Sequence, residues 1–163
     1  LIVLVRHPPV AGAGRCYGRT DLPLADPADA ARLAARLLPL GGTIWTSPLR
    51  RCRDVATALG PHHVDPRLQE LDFGVWENRL WDDVPRAALD AWAADPWGFS
   101  PPGGESGAAL VARVTAFHAA LPPSGHVVIT HGGPLKVLAA LLHGRPVDLL
   151  APAPPLGSVD IIR

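Results

Sequence analysis

The chain has 163 residues, the length of one ordinary globular domain and enough to bury a real core. Fifteen Lys plus Arg balance fifteen Asp plus Glu, so no global field favours nucleic acid or an anionic membrane, and any anion site must be built locally. Two cysteines are too few for a disulfide framework. No run of eighteen apolar residues and no basic leader is visible, so neither a membrane span nor a signal peptide is expected. A cytoplasmic location is therefore expected. The chain contains no methionine, so its natural start is expected to lie outside the numbered residues.

The first seven residues, Leu1-Ile2-Val3-Leu4-Val5-Arg6-His7, read as a strand buried on both faces, as in a parallel sheet covered by helices. Ligands in such sheets bind beyond the carboxyl ends of the strands, which is where Arg6 and His7 fall. A loop through Gly12, Gly14, Gly18 and Pro23 follows. Asp26 as cap and Pro27 in the first turn then open a helix with an apolar stripe of Ala30, Leu33, Ala34, Leu37 and Leu38. Thr43-Ile44-Trp45-Thr46 is a second strand. Ser47 and Pro48 cap another helix, with Leu49, Cys52, Ala56 and Leu59 turned to the core.

A short third strand around His63 and Val64 leads into Gln69-Glu70-Leu71-Asp72-Phe73-Gly74. Over residues 75–102 the pattern loosens, and Trp76, Trp81, Trp92 and Trp97 suggest a lid-like insertion or wall with a helix near 84–93. Residues 105–121 carry Leu110, Val114, Phe117 and Leu121 on one helical face. His126-Val127-Val128-Ile129-Thr130-His131 is a second fully apolar strand that ends in histidine, and Gly132-Gly133-Pro134 turns it into a further helix. A Pro-rich connector at 152–155 precedes a last strand near 158–162. Strands alternating with helices predict an α/β fold, a three-layer αβα sandwich with a mostly parallel sheet, as a single domain over 1–163.

If the strand tips are neighbours, His7, His131, Arg6 and the arginines after Ser47 converge, together with a helix N-terminus at Gly132 whose free N–H groups favour an anion. Guanidinium matches phosphate oxygens in bidentate geometry. Arg51 sits between apolar positions and is the better phosphate ligand, while Arg50 and Arg53 read as a solvated face. Glu70, set among Leu68, Leu71 and Phe73, could supply the proton that a leaving alkoxide needs or be an ordinary loop carboxylate. Competing motifs fail on spacing. The P-loop lacks one residue between Gly14 and Gly18, the dinucleotide fingerprint has Tyr17 at its third glycine, and no Gly-x-Ser-x-Gly elbow occurs. Neither Cys16 nor Cys52 has the arginine that a cysteine phosphatase places six residues on. His62, His63 and Asp65 could ligate zinc only if adjacent histidines on a strand pointed the same way, which they do not.

These residues together resemble the histidine phosphatase superfamily, also called phosphoglycerate mutase-like. Arg6-His7-Pro8 stands for its Arg-His-Gly opening, and Ser47-Pro48-Leu49-Arg50-Arg51-Cys52 for its Ser-x-Leu-x-Arg-Ala helix start. Leu68-Gln69-Glu70-Leu71-Asp72-Phe73-Gly74-Val75-Trp76-Glu77 is similar to the segment with the proton donor. Thr130-His131-Gly132-Gly133 resembles the second histidine motif, preceded by Pro102-Gly103-Gly104-Glu105-Ser106 and Arg113. The resemblance implies a metal-independent phosphomonoesterase without cofactor. In it His7 is the nucleophile, Arg6, Arg51 and His131 hold the phosphoryl oxygens, and Glu70 is the acid.

Three departures are visible. Pro8 has no N–H, Ala13 stands where relatives carry a phosphate-contacting Asn, and Lys136 replaces an arginine, a change expected only to adjust packing. The stretch Cys16-Tyr17-Gly18-Arg19-Thr20-Asp21-Leu22-Pro23-Leu24 is most like the α-ribazole phosphatase branch. That likeness implies a small phosphorylated substrate contacted by Tyr17 and Gly18, with Glu105 and Gly132 also at the site. Rival expectations are a phosphohistidine protein phosphatase, a phosphoglycerate mutase, and a phosphate-binding relative disabled by Pro8.

Overall fold

The structure, a computed structural model, describes residues 1–12 and 14–163. Ala13, expected to bear on phosphate binding, lies outside the described residues. Ten regular elements follow one another: β1 (Ile2–Arg6), α1 (Ala28–Leu37), β2 (Thr43–Thr46), α2 (Arg50–Leu59), β3 (His63–Val64), α3 (Arg86–Ala94), α4 (Gly107–Ala120), β4 (His126–Thr130), α5 (Gly132–Leu142) and β5 (Val159–Ile162). The strands form one sheet in the order β3-β2-β4-β1-β5. The first four are parallel, and β5 closes the edge antiparallel to β1.

Successive side chains of a strand point to opposite faces, and β1 and β4 use both. Val3, Val5, Val127 and Ile129 pack with Leu33 and Leu37 of α1 and Cys52, Val55 and Ala56 of α2. Ile2, Leu4 and Val128 pack on the other face with Leu110, Val114 and Phe117 of α4 and Leu135 and Leu138 of α5. Two helical layers thus sandwich the sheet, which explains why these two strands carry no polar alternation.

Local chemistry sets the boundaries. Asp26 Oδ1 accepts the Ala28 N–H at 3.0 Å, so the cap works although regular α1 begins just after Pro27. Leu38, expected in the apolar stripe, is 67% exposed, because the chain tightens there into a 3-10 turn, Leu38–Leu40, around Pro39 and rotates it outward. The second helix starts at Arg50, later than Ser47 and Pro48 suggest, and Leu49 is its extended N-cap. Val55 joins its buried face, which sequence spacing does not single out. Residues 75–102 contain two 3-10 turns and α3. There Trp76, Trp81 and Trp92 pack edge-on or stacked with one another and against Phe73, while Trp97 stays exposed. No helix among the described residues is long and apolar enough to cross a membrane.

Leu138 is fully buried between α5 and the sheet core. Leu138→Ala is expected to lower the unfolding free energy by about 2–5 kcal/mol in urea titration; a loss below about 1 kcal/mol would contradict this packing.

Candidate active site

In the parallel register of β1 with β4, Arg6 pairs with Thr130. The next residue on each strand is therefore a histidine beside a histidine, and the His7 N–H donates to the Thr130 carbonyl at 3.2 Å. The two rings lie 5.2 Å apart, edge to face, and both are buried. His7 Nδ1 is 2.8 Å from the Pro8 carbonyl. A carbonyl only accepts, so Nδ1 carries the proton and the lone pair is left on Nε2. His131 Nε2 is 2.7 Å from the Ser47 hydroxyl, with Cys52 Sγ at 3.6 Å. Burial pushes the His7 pKa down, the Pro8 bond opposes it, and the charges of Arg51 and Arg6 add to the fall, leaving it at about 3. Burial, then Arg51 and His7, hold His131 well below the usual imidazole value. Two neutral imidazoles therefore face each other at neutral pH.

Arg51, in the first turn of α2, is fully buried. It donates from Nη1 to the Thr20 carbonyl at 2.8 Å and from Nη2 to the Gly18 carbonyl at 2.7 Å, and its guanidinium lies over the Tyr17 ring at 5.0 Å. Arg50 and Arg53 are exposed. Arg6 donates to the carbonyl of Pro154 in the C-terminal connector. Among the described residues no carboxylate is within ion-pair distance of Arg6 or Arg51, and the buried Nε–H of each finds no acceptor. Burying a cation without a counter-ion is costly, and burying a donor without an acceptor adds to it. An anion held between the two guanidiniums would relieve both.

Glu70 lies against the first turn of α5. Its Oε2 accepts the Gly133 N–H at 3.1 Å and its Oε1 the Leu71 N–H at 2.9 Å. Its own carbonyl accepts from Arg19 Nε at 3.0 Å and from Arg113 Nη2 at 3.1 Å. Arg113 is in turn paired with Glu105 at 2.8 Å. A cavity of about 370 Å³ opens here. Arg6, Glu70, Gly132, Gly133 and Lys136 contribute its polar surface, and Phe73, Leu89, Trp92, Leu110 and Leu149 much of its apolar wall.

The structure thus brings His7, His131, Arg6, Arg51, Glu70 and Gly132 together. Of these, Arg6, Glu70 and Gly132 line the cavity, whereas His7, His131 and Arg51 are buried beside it, and Tyr17, Gly18 and Glu105 do not line it either. Tyr17 supports Arg51, Gly18 gives its carbonyl to Arg51, and Glu105 reaches Glu70 through Arg113. Asp65, considered as a zinc ligand, is paired with Arg67 at 2.7 Å. Lys136, expected only to adjust packing, lines the cavity with its Nζ 3.1 Å from the Leu149 carbonyl, and burial lowers its pKa. Sequence reasoning gave no role to Ser47 as partner of His131, to Pro154 over Arg6, or to Glu77. Ser47 and Glu77 left traces, as parts of the motifs around Arg51 and Glu70, and Pro154 only as part of the Pro-rich connector.

An α/β sandwich whose parallel strands end in paired buried histidines and counter-ion-free arginines defines a class of enzymes that work on phosphate. A family model described as "Histidine phosphatase superfamily (branch 1)" matches residues 2–162. The chain belongs to that superfamily, and is a phosphatase within it. It is 33% identical over 172 residues to the glucosyl-3-phosphoglycerate phosphatase of Mycolicibacterium vanbaalenii, covering 90% of this chain and 76% of that one. It is 33% identical over 97 residues to the adenosylcobalamin/alpha-ribazole phosphatase of Escherichia coli, covering 55% of this chain and 48% of that protein. Among solved structures it is similar to a mycobacterial glucosyl-3-phosphoglycerate phosphatase, with TM-score 0.82 at 28% identity over 97% of this chain and 87% of the other. It is also similar to a phosphoglycerate mutase from Thermus thermophilus, with TM-score 0.79 at 34% identity over 97% and 90%.

The imidazole environment sets a pH dependence. A histidine pKa near 6.5 in the unfolded chain and about 3 in the fold means that the unfolded chain binds more protons as the pH drops below about 6.5. Stability should therefore decline between about pH 7.5 and about pH 5.5, above the carboxylate range, and His7→Asn should reduce that decline. Urea midpoints at the two pH values measure it, and a wild-type midpoint that rises on acidification would contradict the buried neutral pair.

Proposed function

We propose that the protein is a metal-independent phosphomonoesterase that works through a phosphohistidine on His7. The observation that carries this reading is the neutral His7 imidazole, its proton held on Nδ1 by the Pro8 carbonyl and its Nε2 lone pair free, beside the buried Arg51 and the half-buried Arg6, each with a buried, unpaired Nε–H group. The Nε2 lone pair forms the N–P bond as the ester P–O bond breaks, and Glu70 gives its proton to the leaving oxygen. Arg6, Arg51 and His131 hold the three phosphoryl oxygens. Water then attacks phosphorus, Glu70 takes its proton, and the N–P electron pair returns to His7 as phosphate leaves. Pro8 is compatible with this scheme because it contributes its carbonyl, which any residue has. Glu105 acts at one remove, by ordering the Arg113 that grips the Glu70 backbone, and Tyr17 and Gly18 support Arg51.

The substrate is a small phosphorylated metabolite, since a concave pocket of about 370 Å³ adjoins the site through Arg6, Glu70 and Gly132. The wall of that pocket, residues of 75–102 included, argues against a phosphohistidine protein phosphatase. Phe73, Trp92, Leu89, Leu110 and Leu149 suit an apolar or aromatic leaving group, which favours α-ribazole 5'-phosphate. A second reading has its own observation: Lys136 adds a partly desolvated ammonium to the same cavity, which would suit a carboxylate-bearing ester such as glucosyl-3-phosphoglycerate, named for the mycobacterial relative.

Purified protein should hydrolyse a chromogenic phosphate ester in the presence of a chelator, and His7→Ala should remove at least ~10³-fold of that activity. Full activity in His7→Ala, or a strict requirement for added metal, would overturn the mechanism. In a panel of α-ribazole phosphate, glucosyl-3-phosphoglycerate, phosphoglycerates and a phosphohistidine protein, the highest kcat/KM is expected for α-ribazole phosphate. Lys136→Met should lower kcat/KM for carboxylate-bearing esters about tenfold more than for the chromogenic ester if the second reading holds.

A further inference from the structure

The half-buried carboxylate of Glu77 is not paired with a cation among the described residues. Backbone amides and one hydroxyl surround it instead. It accepts the N–H groups of three consecutive residues, Gly18 at 3.0 Å, Arg19 at 2.7 Å and Thr20 at 3.2 Å, and the Thr20 hydroxyl at 2.6 Å. It also accepts the Phe73 N–H at 3.2 Å. Burial pushes its pKa up, yet the bonds from Thr20, Gly18, Arg19 and Phe73 prevail and hold it below the usual carboxylate value, so it stays charged at neutral pH.

The same short loop that donates to Glu77 presents its carbonyls on the other side. Those of Gly18 and Thr20 are the two that receive Arg51 Nη2 and Nη1. The loop is pressed against the strand-like run that follows Glu70: a Cβ on Gly18 would come within 1.8 Å of the Leu71 carbonyl oxygen and 2.7 Å of the Phe73 ring. With the Phe73 N–H also on Glu77, one carboxylate fastens the loop that aims Arg51 to the segment that carries Glu70.

We propose that Glu77 is a positioning residue for phosphoryl transfer: its carboxylate locks residues 18–20 so that the Gly18 and Thr20 carbonyls aim the Arg51 guanidinium. This rests on the reading of Arg51 as a phosphate ligand. Orienting Arg51 through carbonyls leaves its charge undiminished, whereas a carboxylate bonded directly to it would neutralise the cation that the phosphate needs. The acid acts one shell further out, on peptide dipoles whose other ends bind the guanidinium. Ordering of a ligand by its outer partner is worth roughly 10- to 100-fold in other charged sites.

The test is a double-mutant cycle with a chromogenic phosphate ester, using Glu77→Gln, Arg51→Met and the two combined. Glu77→Gln alone is expected to lower kcat/KM about tenfold and to weaken competitive inhibition by inorganic phosphate to a similar degree. In the Arg51→Met background it should cause no further loss. Losses that multiply in the double variant, or a Glu77→Gln enzyme with unchanged kcat/KM, would overturn the proposal and leave Glu77 as a brace. If Arg51→Met alone retains full activity, the reading of Arg51 fails first and the proposal falls with it. Should Glu77→Gln not fold, as judged by near-ultraviolet circular dichroism, Thr20→Val removes only the hydroxyl bond and is read in the same cycle, with a few-fold loss expected in the parent and none in Arg51→Met.

Discussion

Two parallel strands lying side by side in a fixed register are the constraint from which the site follows. Pairing Val5 with Ile129 and Arg6 with Thr130 buries aliphatic side chains on both faces of the sheet, and a slip by one residue would turn each set to the wrong layer. Hydrophobic burial along β1 and β4 therefore decides where the chemistry sits. The residues just past the last apolar pair, His7 and His131, must be neighbours, and both must be dry. Dryness makes them neutral, and neutrality leaves a lone pair on His7.

Around this pair the charges are arranged in shells. The inner shell holds Arg6 and Arg51, whose N–H groups are met by the carbonyls of Pro154, Thr20 and Gly18. The next shell holds Glu77, on the amides of residues 18–20, and Glu105, on Arg113. Carbonyl partners fix a guanidinium without cancelling its charge, so the positive potential stays available at the strand tips. Glu70 is the inner carboxylate. It sits on the first turn of α5, where it accepts the Gly133 N–H. From there it lines the apolar cavity beside Arg6 and Gly132.

Much of this was legible in the chain because burial and spacing are written locally. Apolar runs marked β1 and β4, helical spacing marked α1, α2 and α4, and histidine directly after each run marked the tips. Arg51 stood out from Arg50 and Arg53 because it alone falls on the buried stripe of its helix. The parts that sequence reasoning missed depend on long-range contacts. Ser47 looked like a helix cap, and only the fold shows its hydroxyl beside His131. Leu38 fitted the stripe until the 3-10 turn rotated it away. Pro154 reaches Arg6 across 148 positions of sequence, and Lys136 enters the cavity because the turn of α5 that carries it faces Leu149. Periodicity within a window of a dozen residues carries none of those pairings.

The central claim is that this cup of neutral imidazole and undiminished guanidinium turns His7 into the atom that takes the phosphoryl group. Mixing the enzyme with an excess of a phosphate ester, quenching in alkali within the first turnover and mapping the modified peptide by mass spectrometry tests it directly. A phosphoryl group on His7 that survives alkali and is lost on acidification is the expected result. A phosphoryl group on any other residue, or turnover without a covalent intermediate at any quench time, would contradict it.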